Sequence, residues 1–333
     1  MRFVPYAELD GVPNVIVDGA ATEATLLTLS HWPGSRVPAS LRADLSAEIA
    51  VRYLEQPAMH VPADVVSNNH FDEDGLMGVF ALVMADVARA HRDLLVDVAR
   101  AGDFGWSRTR DAARISFAIS TLVDPHASPL DKSVFDGEYP QLAARLYREL
   151  LPRVPQLLDD VDSVRALWAE EDAHLTASND AFDSGRATLT ERPDLDLAIV
   201  LVPEELTNRT MHRFTQTRAS GLHPMAVHNR TQMLRAAYIC GNRYEVQLRY
   251  ESWVQLVSRT PQARPDLSLL AKRLDELESS SGSWQFDGVG TITPALKLQG
   301  SEESSITQER FLAELRAFLV DAAPAWDPWA PRP

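Results

Sequence analysis

The chain predicts an α/β fold: an N-terminal domain built on a mostly parallel sheet with flanking helices, and a smaller α+β C-terminal domain. Three observations carry that expectation. Over the first hundred residues, short apolar runs of strand character alternate with stretches of helical spacing. Long β-rich runs then cluster after residue 195. Finally, 333 residues with 45% apolar and 24% charged content suffice for two buried cores.

The elements follow in order. Residues 14–19 (NVIVDG), 25–31 (TLLTLSH) and 63–67 are strand-like. Residues 40–56 repeat apolar side chains at Leu41, Leu45, Ile49 and Tyr53, the spacing of a helix with Ser40 as its N-cap. A second helix is expected over 75–90, opened by Gly75 and carried by Leu76, Val79, Phe80, Leu82 and Val83. Residues 94–101 are apolar-periodic and run into the Gly-flanked turn Gly102-Asp103-Phe104-Gly105.

Residues 106–190 read as mostly helical, broken at Pro125, Pro129, Pro152 and Pro155; Asp183-Ser184-Gly185 and Pro193 suit a linker. Residues 195–202 have the composition of a buried strand. Residues 233–239, 244–250 and 253–258 are further strands, the first two joined through Cys240-Gly241-Asn242-Arg243. Amphipathic helices are expected over 267–277 and 308–320. The chain thus divides into 1–188, 189–322 and a Pro/Trp-rich tail, 323–333, expected to be disordered or docked only by Trp326 and Trp329. No internal repeat is present.

Composition excludes several classes. No apolar run reaches the length of a membrane span, and the first residues lack the plan of a signal peptide. Cys240 is the only cysteine, which rules out an intrachain disulfide and a thiolate metal site and suits a reducing cytoplasm. A formal charge of −15 argues against broad nucleic-acid binding. The charge is uneven. Residues 1–103 carry fifteen acids and seven arginines, whereas 209–264 carry nine arginines and two acids. An acidic half suited to cations precedes a half that either binds an anion or coats an exposed sheet with arginine.

The most informative segment is His70-x-Asp72-x-Asp74-Gly75, where an apolar run ends, presents three ligand-type side chains at alternate positions, and turns into a helix. Carboxylate oxygen and imidazole nitrogen suit Mn, Mg, Fe or Zn. In open α/β sheets ligands gather outside the carboxyl ends of the strands. Asp18 closes the first strand, His31 the second, and Asp103 lies in its turn, so four carboxylates and two histidines are expected at one edge. Such a set can hold one or two divalent ions and activate a water for hydrolysis. In the second half His223 and His228 flank a short turn beside Arg218 and Arg230, a cluster able to receive phosphoryl oxygens. Residues 243–250 alternate charged or polar with aromatic and aliphatic side chains, as a half-exposed strand or a base-stacking face would. No P-loop, dinucleotide fingerprint, nucleophile elbow or zinc-finger spacing is present.

The segment HFDEDGLMGVFAL resembles the first motif of the DHH phosphoesterase superfamily, in which a strand runs into H-x-D-x-D-G and then a helix. That superfamily includes inorganic pyrophosphatases, exopolyphosphatases, single-strand exonucleases, nanoRNases and cyclic-dinucleotide phosphodiesterases. VIVDG is similar to its aspartate-bearing strand end, LLTLSHWPG to its D-H-H segment, and VDVARAGDFG to the segment with its last metal aspartate. Here Ser30-His31-Trp32 stands in place of Asp-His-His, and the first motif follows the D-H-H-like segment, as in a circular permutation. The resemblance implies Asp18, His31, His70, Asp72, Asp74 and Asp103 as metal ligands, with His70, Asp72 and His31 at the reacting centre. Residues 220–226 (SGLHPMA) resemble the glycine-rich histidine loop of the associated C-terminal domain. That implies His223 as a substrate contact; Arg218, His228 and Arg230 of the same cluster, and Asn69 just before His70, complete the expected substrate-binding residues.

The sequence therefore points to a cytoplasmic hydrolase using Mn or Mg on a phosphoester or phosphoanhydride of a small anionic, nucleotide-like substrate. No membrane is involved, and an oligomer is left open. Two alternatives stand beside it: a metal-dependent hydrolase of a non-phosphate substrate such as an amide or specialised metabolite, and a non-catalytic binding protein on a hydrolase scaffold.

Overall fold

Four short strands form the sheet from which the candidate site is built: β1 (Arg2–Phe3), β2 (Asn14–Val17), β3 (Thr25–Leu29) and β4 (Val65–Ser67). Their order is β1-β4-β2-β3, and every pair is parallel. Every residue of β2 and β4 is buried, as expected of central parallel strands covered on both faces. The computed structural model describes residues 1–206, 217 and 219–330. They group into one unit of Met1–Ala173 with Gln255–Arg259 and another of His174–Val254 with Thr260–Ala330. The fold is α/β.

The helices of the first unit are α1 (Ser46–Glu55), α2 (Glu73–Val83), α3 (Ala85–Ala90), α4 (Arg92–Asp103), α5 (Arg110–Val123), α6 (Tyr139–Leu150) and α7 (Val154–Asp159). The next helix, α8 (Arg165–Asp183), contains the division between the units. Gly78 lets α2 lie close to its neighbours: a Cβ there would stand 2.5 Å from Val17 Cγ1 and 3.3 Å from Ala47 Cα.

The boundaries differ from the sequence expectation in instructive ways. Helix α1 begins at Ser46 rather than at Ser40, because its leading amides are capped from a distant helix, as described below. Helix α2 begins at Glu73, two residues before Gly75, because the Asp72 carboxylate accepts from the Gly75 amide at 2.8 Å. The helix expected over 75–90 breaks at Met84 into α2 and α3. Asp103 is the last residue of α4 rather than part of a turn. Strand β1 carries too few residues for a periodic signal.

In the second unit, β5 (Thr188–Arg192), β6 (Leu197–Leu201), β7 (Arg235–Cys240), β8 (Arg243–Leu248), β10 (Ser283–Phe286) and β11 (Ala295–Gln299) form a six-stranded sheet of order β10-β11-β8-β7-β6-β5. Only β6 and β7 pair in parallel. One face packs Ala237, Ile239, Tyr244 and Val246 against Leu270 and Leu274 of α10 (Ser268–Asp275) and Phe311 and Leu315 of α11 (Gln308–Asp321). The other packs Val200, Ala236 and Tyr238 against Leu222 and Val227, the latter in α9 (Pro224–His228).

The strand expected over 253–258 does not form. The backbone donors there are spent elsewhere within the first unit: Gln255 N donates to His31 O at 2.8 Å, and Val257 N and Ser258 N to Asp44 Oδ1 at 2.8 and 2.9 Å. The tail is docked. Strand β9 (Arg264–Pro265) pairs with β12 (Pro324–Trp326), and Trp326 stacks on Trp253 with ring centroids 6.0 Å apart. Trp329 is 40% exposed. No helix among the described residues is long and apolar enough to cross a membrane.

Several arginines of the basic stretch neither coat a surface nor face an anion. Arg235, Arg249 and Arg264 are buried. Arg264 donates to Ser252 Oγ and to the carbonyls of Arg249, Val289, Thr291 and Ile292 at 2.6–3.1 Å. Arg249 donates to Thr231 O at 2.9 Å and pairs with Glu251 at 2.5 Å. These guanidiniums gather carbonyls that no ladder satisfies, a task suited to five fixed donors. Arg264→Lys, with fewer donors on a differently shaped head, is expected to lower stability by about 2–4 kcal/mol. Denaturant titration of the two proteins measures the difference.

Candidate metal centre

The carboxyl ends of β2, β3 and β4 deliver the first ligand-type residues. Asp18 follows β2 with φ +48°, one of three described non-glycine residues in the left-handed region. A strained backbone of this kind persists where its surroundings hold it. The neighbouring Gly19 is required by close approach: a Cβ there would lie 2.3 Å from Asn69 Oδ1 and 2.9 Å from Asn68 Oδ1. His31 lies two residues past β3, and His70 and Asp72 sit in the β4–α2 connection. Asp74 comes from the first turn of α2 and Asp103 from the end of α4. The structure brings these six side chains together.

The cluster has two sides that share Asp18. On the inner side, His31 Nε2 stands 3.6 Å from Asp18 Oδ1, 3.7 Å from Asp74 Oδ2 and 3.5 Å from Asp103 Oδ2. His31 Nδ1 lies 2.5 Å from the Asp44 carbonyl, so that nitrogen carries the proton and Nε2 is left as the donor atom of a ligand. On the outer side, His70 Nε2 stands 3.2 Å from Asp18 Oδ2 and 2.8 Å from Asp72 Oδ2. Inner groups are sealed, whereas the His70 and Asp72 side chains keep 18% and 26% of their exposure.

A scaffold that the sequence did not reveal fixes these groups. Asp74 Oδ2 accepts from Ser46 N and Asp74 Oδ1 from Ala47 N, both at 2.8 Å, so Asp74 caps α1 rather than its own helix. Ser46 Oγ donates to Asp18 Oδ1 at 2.6 Å, and its oxygen accepts from His31 N at 3.2 Å. Asn69 Oδ1 accepts from Ala20 N at 2.9 Å, tying the β4–α2 connection to the end of β2. The Trp32 ring lies against His70, with centroids 5.1 Å apart. Ser46 and Asp44 carried no motif signal, since each acts through contacts remote in sequence, and Trp32 stood out only as a departure from the D-H-H pattern.

The electrostatics are those of negative charge held away from water. Burial raises Asp103 well above the carboxylate range, reinforced by Asp74, Asp72, Asp18 and Glu73. Burial and then the charge of Asp18 likewise raise Asp74 well above it, against the pull of the Ala47 and Ser46 amides. Burial also acts to raise Asp18, but the hydrogen bond and charge of His70, followed by His31 and Ser46, outweigh it and hold Asp18 low. For His70, burial alone would lower the imidazole; Asp72 and Asp18 overcome it and carry it up to about 11. His70 Nε2 thus lies between the Asp18 and Asp72 carboxylates, hydrogen-bonded to Asp72. Among the described residues, no Lys or Arg forms an ion pair with any of the four carboxylates.

The donor set fits divalent ions. Two groups of three, Asp18-His70-Asp72 and Asp18-His31-Asp74, each offer one ligand atom per residue within 4.8 Å of one another. Asp103 Oδ2 is buried and receives no hydrogen bond, so it is an acceptor that a cation could use. Oxygen and imidazole donors without a thiolate are a set that several divalent ions accept.

The expected phosphate-receiving residues belong to the second unit, where Arg218 lies outside the described residues. His223 caps α9, its Nδ1 accepting from Met225 N at 3.1 Å, and it is fully buried. The amides of this loop are engaged: Ala219 N with Glu245 Oε2 at 3.3 Å, Leu222 N with Ser220 Oγ at 3.1 Å and His223 N with Ser178 Oγ at 2.8 Å. His228 is buried. Arg230 donates to Asn179 Oδ1, Ala226 O and Asp183 Oδ1 at 2.5–2.9 Å.

Fold and cluster together define an α/β protein with a carboxylate–histidine site at the carboxyl edge of a parallel sheet. The chain belongs to a family of unknown function (DUF6687), whose model matches residues 1–330. No curated protein and no solved structure matches it.

The pKa directions set the pH dependence of the ion-free protein. Asp74 and Asp103 are raised in the folded state, so their contribution to stability falls as pH rises above the ordinary 3.8. His70 is raised from 6.5 to about 11, so its contribution is full below 6.5 and is lost as pH climbs toward 11. Urea melts in chelator are therefore expected to show stability falling between about pH 6.5 and 8.5. With Mn present the slope should reverse, because ion binding favours deprotonated ligands. Asp103→Asn should stabilise the ion-free protein by on the order of 1 kcal/mol or more by removing a buried charge.

Proposed function

We propose that this chain is a hydrolase that depends on divalent ions, Mn or Mg, and cleaves a phosphoester or phosphoanhydride of a small anionic substrate. The observation that carries the reading is Asp18. Held in the left-handed region, it turns one carboxylate oxygen to His31 and the other to His70, so that two donor sets share one residue. The likeness of four sequence segments to the DHH phosphoesterase motifs supports the same reading, since the residues that the likeness singles out meet in space.

Asp18, His31, Asp74 and Asp103 would hold one ion, and Asp18, His70 and Asp72 the other. When bound, such ions supply Lewis acidity toward phosphoryl oxygens and lower the pKa of water. The protein's own groups prepare the site. Ser46 and the amides of α1 orient Asp18 and Asp74, and the Asp44 carbonyl fixes the tautomer of His31. His70 and Asp72 are the members that meet solvent, so the ion they would help to hold is the one a substrate reaches. In the 220–226 loop the Leu222 and His223 amides are engaged within their own unit. A single buried cysteine, free of any disulfide, is compatible with a reducing cytoplasm.

Ser30 and Trp32 occupy positions where the superfamily has aspartate and histidine, which favours one second reading: the same ions acting on an amide. Mn-loaded protein should hydrolyse bis(4-nitrophenyl) phosphate and leave 4-nitroacetanilide intact; the opposite preference would establish the second reading. Asp72→Asn and Asp18→Asn should each lower phosphodiester hydrolysis at least about a hundredfold. Their melting in chelator should remain cooperative. Full activity in Asp72→Asn would refute the assignment.

A further inference from the structure

The cluster opens to solvent on one side only, and that side is aromatic. Asp18, His31 and Asp74 are fully enclosed, whereas His70 and Asp72 are partly exposed. The partly exposed Trp32 ring lies against His70 at 5.1 Å with the planes inclined by 34°. Phe71 follows His70 and packs edge-on against Tyr147 at 5.0 Å. Tyr139, the first residue of α6, is 51% exposed, yet its position is fixed: its hydroxyl accepts from Phe71 N at 3.2 Å. An exposed tyrosine anchored in this way forfeits little freedom on meeting a ligand.

We infer that Trp32 and Tyr139, set beside the open members His70 and Asp72, form a platform for a planar ring carried by the substrate next to its phosphoryl group. The inference rests on the proposed function and narrows its substrate class to aryl or nucleoside phosphates. No Lys or Arg among the described residues pairs with the carboxylates of the centre. At this edge the ring faces of Trp32 and Tyr139 are what is on hand for the organic part, and ring faces accept any planar base.

The test uses non-hydrolysable phosphonates, so it does not depend on turnover. Calorimetry follows phenyl-, cyclohexyl- and methylphosphonate binding to the full-length Mn-loaded protein, after Mn binding alone has been measured. Phenylphosphonate should bind about tenfold more tightly than methylphosphonate and more tightly than cyclohexylphosphonate. Trp32→Leu should abolish the preference while Trp32→Phe keeps most of it. If Trp32→Leu fails to fold, Tyr139→Leu, at an exposed position, should reduce it. Equal affinity for the three ligands, or equal affinity for the phenyl and cyclohexyl compounds, would overturn the platform and leave the metal reading standing. Failure to take up Mn, or to bind any phosphonate once loaded, would overturn the proposed function and the platform with it.

Discussion

Three carboxylates, those of Asp18, Asp74 and Asp103, are held where water hardly reaches, and the first unit is organised around making that tolerable. Isolated buried charges are strongly unfavourable. Here the relief is distributed. Asp74 spends both oxygens on the amides that begin α1, where the helix dipole favours negative charge. Asp18 accepts from the Ser46 hydroxyl of the same turn and is drawn toward His70. Asp103 receives no hydrogen bond on its inward oxygen. The end of β2, the start of α1 and the start of α2 are thus linked through one polar knot, and the geometry of the site is inseparable from that of the fold.

The second unit handles buried charge with the opposite sign and a different solution. Arg264 and Arg249 lie inside it and collect carbonyl oxygens from chain segments that no strand pairs. A surplus of arginine in a sequence invites the idea of an anion-binding surface. Arginine's fixed fork of donors is equally suited to filling a gap in backbone hydrogen bonding, and burial distinguishes the two uses. The same holds for His223, whose ring caps a helix while its own amide is taken by Ser178.

Much of the site was legible because its chemistry is local. The alternate spacing of His70, Asp72 and Asp74, and residues at strand ends such as Asp18 and His31, follow from the geometry of a strand that stops and a helix that starts. Helix α11 and buried strands such as β2 and β6 announced themselves by periodicity and composition, whereas α5 fell in a stretch legible only as mostly helical. What escaped was non-local. The start of α1 is set by Asp74, 28 positions from Ser46, so the local candidate Ser40 misled. Strand character over 253–258 was overridden when those amides found the His31 carbonyl and the Asp44 carboxylate. Trp32 breaks the D-H-H likeness, yet spatially it leans on a member of the centre, and no spacing rule conveys that.

The most direct measurement is a crystal grown or soaked in Mn and examined at the manganese edge. Anomalous peaks should appear beside Asp18, about 2.0–2.5 Å from its carboxylate oxygens. One should face His31, Asp74 and Asp103, and the other His70 and Asp72, with His70 released from its proton-bridged contact. Saturating Mn with no peak at Asp18, and His70 still bonded to Asp18 and Asp72, would show that the knot is held by protons and hydrogen bonds alone.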